Sequence, residues 1–293
     1  MNVALTGSTG FIGSHILTDL LAHGHEVTAV VRDDAEADRV AAAGATPAVA
    51  DLYDRPGVAS LFSGADGAIH TASPGDATSV NLDSAVVDAA TDAFAGTGLP
   101  YLHISGDWVY GDNTSISEES PINAPAMVAW REPIERRVLD AAGMRGVVVV
   151  SSVAYGDGGG GVPGLLIGSP RDDAGNLIML GTGQQHWSTV HVADLADFFR
   201  RALEDELAEG RYIVGDGSNP TVAELTQAAA VAVGAPGAVP GSDDEARARL
   251  GDYFAEVLLL DQGTDAGKAR AELGWSPSHP SLADEFRHGS YQK

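Results

Sequence analysis

Three glycines at three-residue intervals, Gly7, Gly10 and Gly13, fall in the stretch "LTGSTGFIGSH", between an apolar run and a run of helical periodicity. Small residues there permit a tight turn, close approach of backbone amides to a pyrophosphate, and close packing of helix on strand. Glycine spacing alone is weak, but strand, loop and helix follow in the required order, so the segment reads as a dinucleotide-binding loop rather than a structural turn. The second apolar run ends Val30-Val31-Arg32. A carboxylate at its end would accept from a ribose 2′-hydroxyl and repel a 2′-phosphate. Arg32 instead offers a planar, permanently charged fork, which predicts NADP(H) over NAD. The alternative is a solvated surface arginine, and Asp33 and Asp34 weigh towards it. Asp51, at the end of a third apolar run, is expected to accept from an adenine amino group, to cap the following helix, or both.

Composition removes other chemistries. The formal net charge is −24, from 17 basic and 41 acidic residues. That balance opposes binding to nucleic acid or to an anionic membrane, both of which need concentrated Lys and Arg. Zero cysteines exclude disulfides, thiolate metal sites and cysteine nucleophiles, and suit a reducing cytoplasm, the expected location. The nine histidines show no metal-ligand spacing, so no metal is expected. "GTDAGK" imitates a Walker loop but has the wrong glycine spacing and no Ser or Thr after Lys268, and no GxSxG elbow occurs. The opening "MNVALTG" is a strand rather than a signal peptide, and the apolar stretch "GVVVVSSVAYG" is far shorter than the roughly 20 residues of a membrane helix.

The elements that must hold the loop alternate. Strands are predicted at Val3 to Leu5, "HEVTAVVR", "ATPAVADL", "GAIHTAS", "YLHIS" and "GVVVVSS", with helices from Phe11 to Leu21, over "PGVASLFSG", from Val80 to Ala95 and from Ala129 to Ala142. Such alternation argues for an α/β fold with a Rossmann, doubly wound parallel sheet. After Gly156 a Gly/Pro/Asp-rich stretch suggests loops leaving the sheet, while "WSTVHVADLADFFRRALED" returns as strand and helix. Helical patterns over Asp243 to Leu260 and Asp265 to Leu273 suggest a smaller C-terminal domain, and "SDDEARAR" reads as a capped helix start. The expected division is a cofactor domain over 1–155 and 188–205, and a substrate or lid region over 156–187 and 206–293.

Taken together, "TGSTGFIGSH", Asp51-Leu52, "IHTAS", "VYGD", "VAYG", "VHVADLA" and "KARAELGWSP" resemble the extended short-chain dehydrogenase/reductases, the group of nucleotide-sugar epimerases and dehydratases. The resemblance spans nearly the whole chain. It implies a parallel sheet carrying NAD(P) and a C-terminal lid, and extends the cofactor-binding set to Thr9, Phe11, Ile12, Leu52, Thr71, Ala72, Ser73, Ser105 and Arg131. It also implies that His191 and Asp194 of "VHVADLA" serve structure rather than chemistry. The family's active centre is Ser/Thr with Tyr-x-x-x-Lys. Here those places fall on Gly106, Met127 and Arg131. No displaced copy exists, because the only lysines are Lys268 and Lys293, and none lies four residues after a tyrosine. "SGDWVYGD", "VAWR" and "VAYGDGGG" resemble the atypical branch that includes angucyclinone ketoreductases of the simocyclinone type.

Loss of a positioned general acid removes about 10² to 10⁴ in rate, or roughly 3 to 5.5 kcal/mol. Arg131 cannot give up a proton, though it can bond the nicotinamide ribose, and Met127 has none to give. Proximity still contributes about 7 to 11 kcal/mol to hydride transfer. The expectation is therefore an NADPH-dependent ketoreductase acting on a phenolic aromatic polyketide, with the proton supplied by substrate or water. Ser105 and Tyr110 are weaker candidates for a catalytic role. Asp107, Trp108, Met127, Ser152, His186 and Trp187 are expected to line the substrate pocket. The rival readings are a non-catalytic NADP(H) sensor and a sugar epimerase or dehydratase.

Overall fold

Runs of Val, Ile, Ala and Leu with no polar face can be buried only inside a sheet covered on both sides, and this is what they form. The computed structural model describes residues 1–292. Its main sheet holds β1 (Asn2–Thr6), β2 (Glu26–Val31), β3 (Thr46–Val49), β4 (Gly67–His70), β5 (Pro100–Gly106), β6 (Arg145–Ser151) and β7 (Gly210–Val214). All pair in parallel, in the order β3-β2-β1-β4-β5-β6-β7. Val147 to Val150, at the centre of β6, are fully buried. The order reverses between β1 and β4, which leaves a crevice beyond the strands' C-terminal ends, where ligands bind in open α/β sheets.

Helices α1 (Phe11–Ala22), α2 (Asp34–Ala42), α3 (Arg55–Ser63), α4 (Ser79–Phe94), α5 (Arg131–Leu139) and α6 (Val192–Glu204) cover the sheet. On one face, Ile16 and Leu20 of α1 meet Phe198 and Phe199 of α6 and Trp275. On the other, Val58 and Phe62 of α3, Phe94 of α4 and Ile134 and Val138 of α5 form a second core. A third core gathers Tyr155, Leu177, Trp187, Leu225, Leu258 and Phe286 into the smaller lid. Trp108 touches both the second and the third core, with its ring edge-on to Phe254 at 6.3 Å.

Several boundaries differ from those expected. The region 206–293 is not wholly lid, since β7 completes the main sheet and Ala266, Ala269 and Trp275 pack into its core. The loop-like texture after Gly156 contains a helix, Gly161–Ile167, and a short strand, Leu177–Ile178. The helix expected from Ala129 starts at Arg131, after a turn. The pattern from Asp243 to Leu260 is broken at Gly251, whose φ of +80° no helix residue adopts. The capped start at Ser242 is as expected: its side chain accepts from the Glu245 amide in a capping box.

One carboxylate ties α5 to the C-terminal end of β5 and to the edge strand β7. Glu135 of α5 is fully buried and accepts from the Ser105 hydroxyl at the end of β5 and from Arg211 Nη2 on β7, at 2.6 Å. Removing one member of such a buried pair leaves the other uncompensated. Glu135→Ala is therefore expected to cost about 3 to 5 kcal/mol of folding stability, measured by urea unfolding. A loss below about 1 kcal/mol would show that the link does not hold these elements.

Candidate functional site

The glycine loop is built as its spacing suggests, with a separate reason for each glycine. Gly7 has φ +76°, and a Cβ there would stand 2.6 Å from the Ala72 amide nitrogen. A Cβ on Gly13 would stand 2.1 Å from the Gly7 carbonyl oxygen, so only glycine lets α1 lie this close to β1. Gly10 is the N-cap of α1 and supplies no side-chain cap, which leaves the helix's first amides for an anion.

A groove of about 790 Å³ opens there. Gly7, Thr9, Gly10, Arg32, Asp51, Leu52, Thr71, Ala72 and Ser73, all expected to bind cofactor, line it. Gly13 lies behind it as packing. Asp51 Oδ1 accepts from the Tyr53 amide at 2.9 Å and so stabilises a turn, whereas the N-cap residue of α3 is Asp54. Glu36 is a groove residue that sequence reasoning missed. It is buried and accepts from the Arg32 guanidinium, from the Arg32 amide at 3.0 Å and from the Thr9 hydroxyl at 3.2 Å. The hydrogen bond from Arg32, above all, holds its carboxyl down at about 2. Arg32 itself projects outward, its side chain 80% exposed. The signal for Glu36 was its position four residues after Arg32, on the first turn of α2.

Thr71 and Ser73 also line a second pocket, of about 360 Å³, which continues the groove beneath the lid. Phe11, Ile12, Ser105, Asp107, Trp108, Arg131 and Ser152, all expected at the site, meet there with Gly106, Val128, Val153 and Val162. Ser105 has already given its hydroxyl hydrogen bond to Glu135. The Arg131 guanidinium stacks over Trp130 at 4.9 Å and makes no hydrogen bond or ion pair among the described residues. Burial lowers its pKa, while the carboxylates of Asp83 and Glu135 favour its charge. Asp107 is buried, and burial pushes its carboxyl up to about 7. The buried Ser152 hydroxyl beside it pulls the other way, although it completes no hydrogen bond of ordinary geometry.

Four expected residues are not brought to this pocket. Met127 lies in the turn before α5 and is more than a third exposed, so the helix that carries Arg131 does not carry it. Trp187 is in the lid core, its indole donating to the Leu258 carbonyl at 3.1 Å. His186 bonds Asp261 at 2.8 Å on the lid's outer part. Tyr110 is buried in the second core, away from the pocket lining, and burial raises its hydroxyl to about 12, the wrong direction for an acid. His191, Asp194 and His279 cluster closely enough to suggest a metal. Asp194, however, already accepts from the Ser278 amide at 3.0 Å, the His279 amide at 3.1 Å and His279 Nδ1 at 2.8 Å, which clasps the C-terminal segment to α6.

These features fit a nicotinamide dinucleotide: an uncapped helix end for the pyrophosphate, a groove running over β2 for the adenosine, and a pocket past β5 for the reacting ring. No helix among the described residues is long and apolar enough to cross a membrane. A protein of Schizosaccharomyces pombe is 28% identical over 99% of this chain and all of its own length. The 3-diazoavenalumate denitrifying reductase of a Streptomyces species is 27% identical over 97% of this chain and 98% of that protein. The crystal structure of human epimerase family protein SDR39U1 with NADPH superposes with a TM-score of 0.77, at 23% identity over 99% of each chain. Residues 3–215 match the NAD dependent epimerase/dehydratase family, and the chain belongs to that family.

Proposed function

We propose that the protein is an NADPH-dependent ketoreductase acting on a ketone of an aromatic polyketide, of angucyclinone-like ring structure. One observation carries the reading: the second pocket is lined by an unpaired arginine and a buried carboxyl, with no tyrosine or lysine. Epimerases and dehydratases of the family's usual kind need that tyrosine as acid and base. A reductase needs the reacting carbon held against the cofactor, which geometry supplies, plus one proton. Phe11, Ile12, Ile104, Trp108, Val128 and Val162 give the pocket apolar walls, which suit a flat ring system better than the hydroxyl-rich surface of a sugar. The Streptomyces relative is by name a reductase, and in that respect supports the reading.

When bound, NADPH supplies the hydride. The chain's own residues do the rest. The amides at the start of α1 hold the pyrophosphate, Arg131 donates to the nicotinamide ribose, and the lid helix Gly161–Ile167 helps close the pocket from water. Arg32, oriented by Glu36 and facing outward, presents its free edge to a 2′-phosphate.

Two measurements test this. Purified protein is incubated with NADPH and a panel of phenolic ketones, non-phenolic ketones and nucleotide sugars, with nicotinamide absorbance followed and products analysed. Oxidation of NADPH by aromatic ketones is expected. Tight NADPH binding without any turnover would favour a sensor, and conversion of a nucleotide sugar would favour an epimerase or dehydratase. Separately, Arg32→Glu is expected to weaken NADPH binding about 10- to 100-fold more than NADH binding, the worth of a charged hydrogen bond. Equal losses would remove the phosphate role of Arg32.

A further inference from the structure

We propose that Asp107 is the general acid of this pocket, protonating the carbonyl oxygen of the substrate as it becomes an alkoxide. The assignment rests on the ketoreductase reading above. It replaces the expectation that substrate or water supplies the proton, and both sources become outcomes of the test.

The placement carries the argument. Asp107 follows Gly106, the residue that stands where the family has its Ser/Thr, and begins the short 3₁₀ turn Asp107–Tyr110 at the C-terminal end of β5. It lines the pocket together with Arg131, and among the described residues these two are its only ionisable lining residues. The other proton-bearing groups nearby are committed or misplaced. Ser105 donates to Glu135, a guanidinium does not release its proton, and Tyr110 lies in the second core and is not among the residues lining the pocket. Among the described residues, no cation pairs with Asp107 to hold it ionised. Arg211 is paired with Glu135 behind Ser105, and Gln262, from the strand Gln262–Thr264, gives its amide to the Asp107 and Gly111 carbonyl oxygens at 2.8 and 2.9 Å. A second observation points the same way. The Ser152 hydroxyl, also buried and also lining the pocket, has no full partner of its own and stands beside the carboxyl. It can hydrogen-bond the carboxylate left after proton transfer.

Burial pushes the Asp107 carboxyl up to about 7, against the opposing pull of Ser152 and the amides of Asp107 and Trp108. An acid in that range is half-protonated near neutrality and still releases its proton readily. The balance is simple. As the new C–H bond forms, the carbonyl π pair moves to oxygen, the Asp107 O–H bond breaks and an O–H bond forms on the product. Water then reprotonates the carboxylate, so each turnover takes one proton from solvent.

The test compares wild type, Asp107→Asn and Ser152→Ala, using NADPH with a hydroxytetralone whose phenol adjoins the carbonyl and with phenol-free tetralone. Wild-type kcat is expected to fall as pH rises through about 7, with Asp107 losing its proton, on both ketones. Asp107→Asn should lose about 10² to 10⁴ in kcat together with that limb, while NADPH binding persists. Ser152→Ala, lacking the hydroxyl that favours the carboxylate, should move the limb to higher pH, and it serves alone if Asp107→Asn fails to fold. A readout without cofactor is thermal unfolding. The native state holds the Asp107 proton more tightly than the unfolded chain, so wild-type stability falls relative to Asp107→Asn between about pH 4 and pH 7. The Tm difference, variant minus wild type, should rise from about pH 5 to about pH 8. No wild-type turnover with either ketone overturns the ketoreductase reading and this assignment with it. Turnover by Asp107→Asn within threefold of wild type, with an unchanged pH limb, or a flat Tm difference, overturns Asp107 alone. Unimpaired Asp107→Asn turnover confined to the phenolic ketone assigns the proton to substrate, and the same on both ketones assigns it to water.

Discussion

Glu135 is the point on which the geometry of the pocket depends. A carboxylate with no exposed surface is costly unless its lone pairs are taken up, and here a strand-end hydroxyl and an arginine from the sheet edge do so. That link joins β5, α5 and β7. It thereby sets the end of β5, which carries Asp107 and Trp108, against the start of α5, which carries Arg131. It also explains why Ser105, polar and close to the reacting region, has no proton to spare. A steric constraint acts at the other end of the site, where the absence of side chains at Gly7 and Gly13 lets α1 approach β1 and aim its open end at the groove.

The two pockets divide the work. The groove is polar where a dinucleotide would need donors, and it is bounded by the Arg32–Glu36 pair. The smaller pocket is mainly apolar, with two ionisable groups of opposite sign in different states. Burial lowers the Arg131 pKa while Asp83 and Glu135 favour its charge, whereas burial pushes the Asp107 carboxyl up to about 7. On the proposed reading, one fold thus offers Arg131 for binding and the Asp107 carboxyl for chemistry. The family's tyrosine and lysine divide those tasks differently.

Much of this was legible in the sequence because it is local. Glycine spacing, strand-helix alternation and the Arg32 position each follow from a few neighbouring residues, and the two pockets together are lined by all the expected cofactor residues except Gly13. Arg131 was found by counting back from Glu135 along one helix. What escaped depended on tertiary packing. Trp187 and His186 sit in a motif-rich stretch, but the lid turns their rings inward or outward, away from the pocket. β7 is short and is separated from the other sheet strands by the lid's first segment, so its place at the sheet edge could not be read from local pattern. The state of Asp107 was invisible for a similar reason. It is buried among residues distant in the chain, with Ser152 beside its carboxyl and Gln262 on its carbonyl oxygen, and no residue next to it in the sequence announces that.

On the proposed function, hydride passes from NADPH to a carbonyl carbon in the pocket between Arg131 and Asp107. Transfer of label tests it most directly: the protein is supplied with NADPH deuterated at the reactive C4 position and an aromatic ketone, and the alcohol is analysed by mass spectrometry and NMR. One deuterium is expected, on the former carbonyl carbon. Product without deuterium from either face of the labelled cofactor would contradict it.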